Sequence, residues 1–198
     1  EVVSHVAAVE ESSSGRIVTV ALRLFADGEQ VGTTSERFAI RGRATGDTPP
    51  VDPPLAGGAP RVVHDTPRSV LRRTTVSAPH DMTPFAIVSG DFNPIHTSVA
   101  AARVAGMDAP LVHGMWLSAT AQHAACASVS GERHPVLRGW TYNMFGPVDL
   151  DSEVEISVER VGRVAGGGLA LEVTCRIDHE IVSRATATTL PPRTAYVY

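Results

Sequence analysis

The sequence predicts an α+β fold, and three observations carry that prediction. Helix start and stop signals are grouped between residues 80 and 131, strands with period-two alternation are grouped after Gly131, and a separate strand-turn-strand unit lies near the N-terminus. With 198 residues, 43% of them hydrophobic, the chain has enough apolar surface for one substantial core or two small ones.

The first unit runs from Ile17 to Arg41, where "GRIVTVALRLF" and "QVGTTSERFAIRG" flank "ADGE". Asp27-Gly28 is a hairpin signal, and Val18, Val20, Leu22 and Leu24 share one strand face. A lone ribbon with one apolar face is not stable in water, so this hairpin is expected to pack on something. Residues 42 to 60, "GRATGDTPPVDPPLAGGAP", are rich in proline and glycine without periodicity, and mark a connection and a boundary.

Downstream, "SVLRRTTVSA" (69 to 78) is expected as a strand. "HDMTPFAIVSG" is expected as a short helix with Thr83 as cap, Pro84 at its first position and Gly90 closing it. "TSVAAARVAG" repeats that grammar, and "GMWLSATAQHAACASVSG" (114 to 131) forms a longer helix of small residues. Four strands follow: "VLRGWTYNMF", "EVEISVERV", "LALEVTCRID" and "EIVSRATATTL". Val154, Ile156 and Val158 alternate with Glu153, Glu155 and Glu159, and Leu169, Leu171, Val173, Cys175 and Ile177 repeat the pattern. One face is therefore buried and the other wet, as in an antiparallel meander wrapped on the long helix.

Charge and cysteine usage exclude several classes of function. The formal net charge is −4, all 17 basic residues are arginine, and no basic run occurs, so no nucleic-acid partner is expected. Cys126 and Cys175 stand alone, which suggests free thiols rather than a disulfide framework or zinc site. The chain opens on Glu1 with no cationic segment leading into an apolar run, so the expectation is a cytoplasmic protein with no membrane segment.

The segment "VSGDFNPIHTS" (88 to 98) concentrates polar chemistry in an apolar neighbourhood. On a continuous helix Asp91 and His96 would diverge, but Gly90 ends the helix and Pro94 pushes Asn93 into an extended conformation. The resulting turn aims both side chains at one point. Asp-x-Asn-Pro is equally ordinary loop chemistry, in which Asp91 and Asn93 bond local amides, and both readings stand on these residues alone. In "APLVHGMW" (109 to 116), Gly114 opens the long helix, whose free amides suit an oxygen gaining negative charge; the plain alternative is tight packing.

"SGDFNPIH" followed by "AARVAGMDAPLVHGMWLSA" resembles the signature of the MaoC-like (R)-specific hydratases and dehydratases, Gly-Asp-x-Asn-Pro-(Ile/Leu)-His and then Pro-x-x-His-Gly-Met. The resemblance implies a hot-dog fold, a curved antiparallel sheet wrapped round a long helix, in one half of a double hot-dog. By position Asp91 and His96 match the family's catalytic pair, Gly114 its oxyanion amide and Asn93 a loop-holding residue. Ser98 stands where the family often has aspartate, and Gln122 or a near neighbour where a helix serine is common. The Pro-rich connection and the closing "PPRTAYVY" resemble the dehydratase region of bacterial, mycobacterial-like type I fatty acid synthases.

That resemblance implies the following division. Residues 1-45 are the last strands of a preceding hot-dog module, 46-62 a connection, 63-190 the dehydratase module, and 191-198 the start of a linker toward an acyltransferase. It implies dehydration of a (3R)-3-hydroxyacyl thioester carried on the phosphopantetheine of an acyl carrier protein. No further cofactor is expected. Enoyl reductase and malonyl/palmitoyl transferase domains are the expected neighbours, in a large homo-oligomer formed through the parent chain. Alternatives are a scaffold or acyl-binding module, a stand-alone enoyl-CoA hydratase, or a thioesterase on the same fold.

Dehydration needs a base for the α-proton, help for the departing hydroxyl, and stabilisation of an enolate-like oxygen. A neutral His96 suits the first task, Asp91 donates to or hydrogen-bonds the hydroxyl, and Gly114 supplies the amide; the first two roles are open to exchange. Burial beside Phe85, Ile87 and Val88 is expected to raise the Asp91 pKa for that work. His113 either lines the site or makes a structural hydrogen bond at the helix start. His123 and His134 are expected in core or surface, and no spacing among His96, His113 and His123 supports a metal site. Arg68, Arg72 and Arg73 either meet a carrier protein or lie on a wet strand face.

Overall fold

A computed structural model describes residues 1–12, 15–41, 62–64, 67–129 and 137–191. The chain divides into two compact units, Glu1–Pro53 and Pro54–Tyr198. The Pro/Gly-rich connection, His134 and most of "PPRTAYVY" lie outside the described residues.

The first unit is a three-stranded antiparallel sheet in the order β1-β2-β3, formed by β1 (Val2–Ser12), β2 (Gly15–Ala26) and β3 (Glu29–Arg41). The hairpin expected at Asp27-Gly28 is present, with φ of 51° and 82°, the paired left-handed residues of a two-residue turn that follows the natural strand twist. Strand β1 was not foreseen in the sequence. A register shift between Val6 and Ala8 breaks its alternation, so no period-two signal runs through it. Val18, Val20, Leu22 and Leu24 are half-buried.

The second unit holds a six-stranded sheet of β4 (Val62–His64), β5 (Ser69–Ser77), β6 (Leu137–Met144), β7 (Glu153–Val164), β8 (Leu169–Ile177) and β9 (Glu180–Thr189). Its order is β4-β7-β8-β9-β6, with β5 continuing beside β7 on the edge that β4 begins. Only β7-β8-β9 is a meander. Strand β6 pairs with β9 rather than with its successor β7, because the connecting segment crosses over: Phe145 N–H bonds Val182 O, and Val112 N–H bonds Val148 O.

Among the described residues three α-helices intervene, α1 (Thr83–Ser89), α2 (Val99–Val104) and α3 (Gly114–Ser128). The expected Thr83 cap moves by one residue. Met82 is the N-cap, and the Asp81 carboxylate accepts from both the Thr83 N–H and its hydroxyl. Ser98 caps α2 by accepting from Ala101 N–H.

Helix α3 lies against β5, β6, β7 and β8. Its Leu117, Ala121, Ala124 and Ala125 are buried in the core with Val154, Ile156, Val158, Leu171, Val173 and Cys175. The alanines let the helix approach the sheet closely, and the larger volume comes from the strands. On the wet face Arg68 pairs with both Glu159 and Glu172, which favours the wet-face reading of that arginine; Arg72 and Arg73 are exposed. No helix among the described residues is long and apolar enough to cross a membrane.

Candidate active site

The site is assembled by the turn between α1 and α2 and by the segment that leads into α3. Gly90 ends α1 with φ 73°, a left-handed cap in which its N–H bonds Ala86 O at 2.9 Å. Two successive side-chain turns follow. Asp91 Oδ1 accepts from Asn93 N–H at 3.0 Å, and Asn93 Oδ1 accepts from Ile95 N–H at 3.3 Å. Asn93 has ψ 115°, the extended state required before Pro94, and Pro94–His96 forms one turn of 3-10 helix. The loop chemistry anticipated for Asp91 and Asn93 is therefore present, and it also sets the direction of His96.

The second segment holds this turn in place. His96 Nδ1 is 2.8 Å from Leu111 O, and Leu111 N–H returns a bond to Ile95 O at 3.3 Å. A carbonyl only accepts, so Nδ1 carries the proton and Nε2 of a neutral His96 is a bare lone pair. His113 follows two residues later, 1% exposed, with Nδ1 3.3 Å from Asp91 Oδ2. Its ring stacks on His96 at 3.8 Å between centroids and 28° between planes, and Phe85 lies against it at 5.3 Å. Burial holds the His113 pKa below the ordinary imidazole value and His96 adds to that, against the opposite pull of Asp91.

The hydrogen bond foreseen for His113 at the helix start runs to Asp91 Oδ2, and its side chain caps no helix amide. The apolar enclosure foreseen around Asp91 is absent: Asp91 is 51% exposed, and Ile87 and Val88 are 65% and 85% exposed. In a helix of seven residues that ends at Gly90, only Ala86 is buried, and the positions next to it turn outward.

Gly114 is the first residue of α3, where the leading amides have no acceptor within the helix. A Cβ built on Gly114 would lie 2.5 Å from Met144 Sδ, so the end of β6 packs over the helix start. The roles of Leu111 O and Met144 are not legible in the sequence, because a backbone carbonyl and a cross-strand neighbour have no local signature. His123 lies on the exposed side of α3, away from this cluster.

One donor atom from each of Asp91, His96 and His113 falls within a 4.8 Å group. Ligation requires lone pairs that converge. The two imidazole rings are stacked face to face, 28° between planes, a poor arrangement for in-plane lone pairs to meet at one ion, and His96 Nδ1 is already committed to Leu111. The arrangement suits proton handling better than metal binding.

The model of the MaoC like domain family matches residues 60–180. The chain is 28% identical over 176 residues to the fatty acid synthase beta subunit stcK of Emericella nidulans, a match covering 85% of this chain and 9% of that subunit. A stretch of 49 residues is 47% identical to the mitochondrial 3-hydroxyacyl-[acyl-carrier-protein] dehydratase of Arabidopsis thaliana, covering 25% of this chain and 30% of that one. Among solved structures, full-length peroxisomal multifunctional enzyme type 2 from Drosophila melanogaster superimposes with a TM-score of 0.72 at 18% identity, over 95% of this chain and 33% of that chain. The chain thus spans less than a tenth of the length of the fatty acid synthase subunit it matches. The structural likeness shows the hot-dog fold that the motifs implied. With the family model covering more than half of its length, the chain belongs to the MaoC-like domain family.

Proposed function

We propose that this chain is a hydro-lyase module that interconverts a (3R)-3-hydroxyacyl thioester and its trans-2-enoyl product. The observation that carries the reading is the state of His96: Nδ1–H is tied to Leu111 O, Nε2 is a free lone pair, and the Asp91 carboxylate lies in the same cluster. His96 Nε2 takes the α-proton, and the electrons of that C–H bond form the C2–C3 double bond as the C3–O bond breaks. The imidazolium returns its proton to the departing hydroxyl, so water leaves and no co-reactant is needed.

Asp91 accepts a hydrogen bond from the hydroxyl, which keeps its own hydrogen, and steers the leaving oxygen toward His96. This is the hydrogen-bonding option among the roles expected for it, and it fits a half-exposed carboxylate that already accepts at both oxygens. Gly114 N–H receives the thioester oxygen as enolate charge develops. Hydration is the same path reversed.

The fatty acid synthase relatives and the acyl-carrier-protein dehydratase relative support a substrate carried on phosphopantetheine, inside a longer cytoplasmic synthase chain. In this reading residues 1–45 close a preceding hot-dog module, 46–62 connect, 63–190 are the dehydratase half of a double hot-dog, and 191–198 lead toward a transferase. Enoyl reductase, malonyl/palmitoyl transferase and acyl carrier protein domains are its partners within a homo-oligomer. The test compares full-length wild type with His96→Ala and Asp91→Asn, following enoyl thioester absorbance from (3R)-3-hydroxyacyl substrate. Folded variants that lose dehydration while other partial activities persist support the reading. Undiminished dehydration would reduce the pair to loop structure and the module to a scaffold or acyl binder.

A further inference from the structure

We infer that His113 is a positioning residue: its Nδ1–H holds Asp91 Oδ2 while its ring face supports His96, so one buried side chain fixes the geometry of both groups. The inference rests on the reading of Asp91 and His96 as the acid-base pair. His113 Nε2 is buried with no hydrogen-bond partner among the described residues, and Nδ1 faces a carboxylate oxygen at 3.3 Å. Placing the proton on Nε2 would bury an unsatisfied N–H and set a lone pair against that oxygen. Placing it on Nδ1 satisfies the donor and leaves only a weak acceptor unpaired.

Asp91 is then gripped at both oxygens, Oδ1 by Asn93 N–H and Oδ2 by His113 Nδ1–H, while each oxygen keeps a lone pair for substrate. His96 is gripped at Nδ1 by Leu111 O and along its face by the His113 ring at 3.8 Å. Four consecutive residues, Leu111 to Gly114, thereby supply a carbonyl, a buried imidazole and the amide that starts α3. A half-exposed acid on a surface turn has many rotamers open to it, and only a buried, immobile donor selects one. Neutrality matters as well. A cation stacked 3.8 Å from His96 would oppose the positive charge His96 acquires when it takes the α-proton.

Asparagine and glutamine separate the two nitrogens, because the Asn amide reaches the place of Nδ1 and the Gln amide that of Nε2. The full-length protein is compared as wild type, His113→Phe, His113→Asn and His113→Gln in dehydration of a (3R)-3-hydroxyacyl thioester, with unfolding transitions measured alongside. The expected result for His113→Phe is a loss in kcat of about 100-fold with KM within about twofold, the penalty typical of a misplaced reacting group. His113→Asn recovers most of that loss, and His113→Gln recovers little. An Asn variant no better than Phe, a Phe variant with full kcat, or unfolding of all three variants would overturn the inference. His96→Ala and Asp91→Asn are run in parallel. If they lose activity and His113→Phe does not, only the positioning role fails; if they retain it, the acid-base reading itself has failed.

Discussion

At Gly114 a single methyl group tests the oxyanion role separately from folding. A Cβ there would meet Met144 Sδ at 2.5 Å, but Met144 is partly exposed and its thioether ends a flexible chain. Repacking it is expected to cost about 1 kcal/mol. The same methyl displaces the oxygen that the amide would receive. Gly114→Ala is therefore expected to reduce turnover by about 10-fold or more while the denaturation midpoint moves only slightly, measured by enoyl absorbance and urea titration. Full turnover in a folded Gly114→Ala variant would remove that amide from the mechanism. The residue scale is also where local sequence logic was most informative: Gly90, Asn93 and Pro94 each adopt the conformation that their chemistry dictates.

Among the elements, the turns differ in how well sequence and backbone agree. Asp27-Gly28 places glycine at the second left-handed position, whereas the β8-β9 turn uses Asp178 and His179 with φ of 48° and 72°. A histidine held in the left-handed region costs free energy that glycine does not pay, despite glycine's larger entropy when unfolded. His179→Gly is expected to stabilise the second unit by about 0.5 to 1 kcal/mol, read as a higher urea midpoint; a lower midpoint would show that the His179 side chain contributes more than its backbone costs. Strands β7 and β8 were legible because their alternation survives over most of their length. Strand β1 was not, since its bulge breaks the period, and β6 was found but its partner β9 was not. Pairing between partners as distant as Leu137 and Thr189 depends on the crossover at 145–152, which no periodicity encodes.

On the scale of the whole molecule, the buried His113 links the site to stability. Burial holds its folded pKa below the ordinary imidazole value of 6.5, so below that pH the unfolded chain binds a proton that the folded chain refuses. The contribution of His113 is thus fully present above pH 6.5 and is lost as pH falls through 6.5 toward the folded value. Exposed His80 has the opposite sign, its pKa raised by Asp151, and the difference between wild type and His113→Asn isolates the His113 component. Urea midpoints are expected to fall more steeply in wild type than in His113→Asn as pH drops from about 7 to 5. Parallel curves would mean that His113 takes up its proton alike in the folded and unfolded chain. The α+β class, most elements, and the two motifs that carry Asp91, His96 and Gly114 could be read from the chain directly, because they depend on local spacing, caps and alternation. That Leu111 O fixes the His96 tautomer, that His113 reaches from the helix start to Asp91, and that Asp91 stays half-exposed came only with the folded chain. Each of those depends on where segments 91–96 and 111–114 meet, and packing between separate stretches of chain leaves no local periodicity to read.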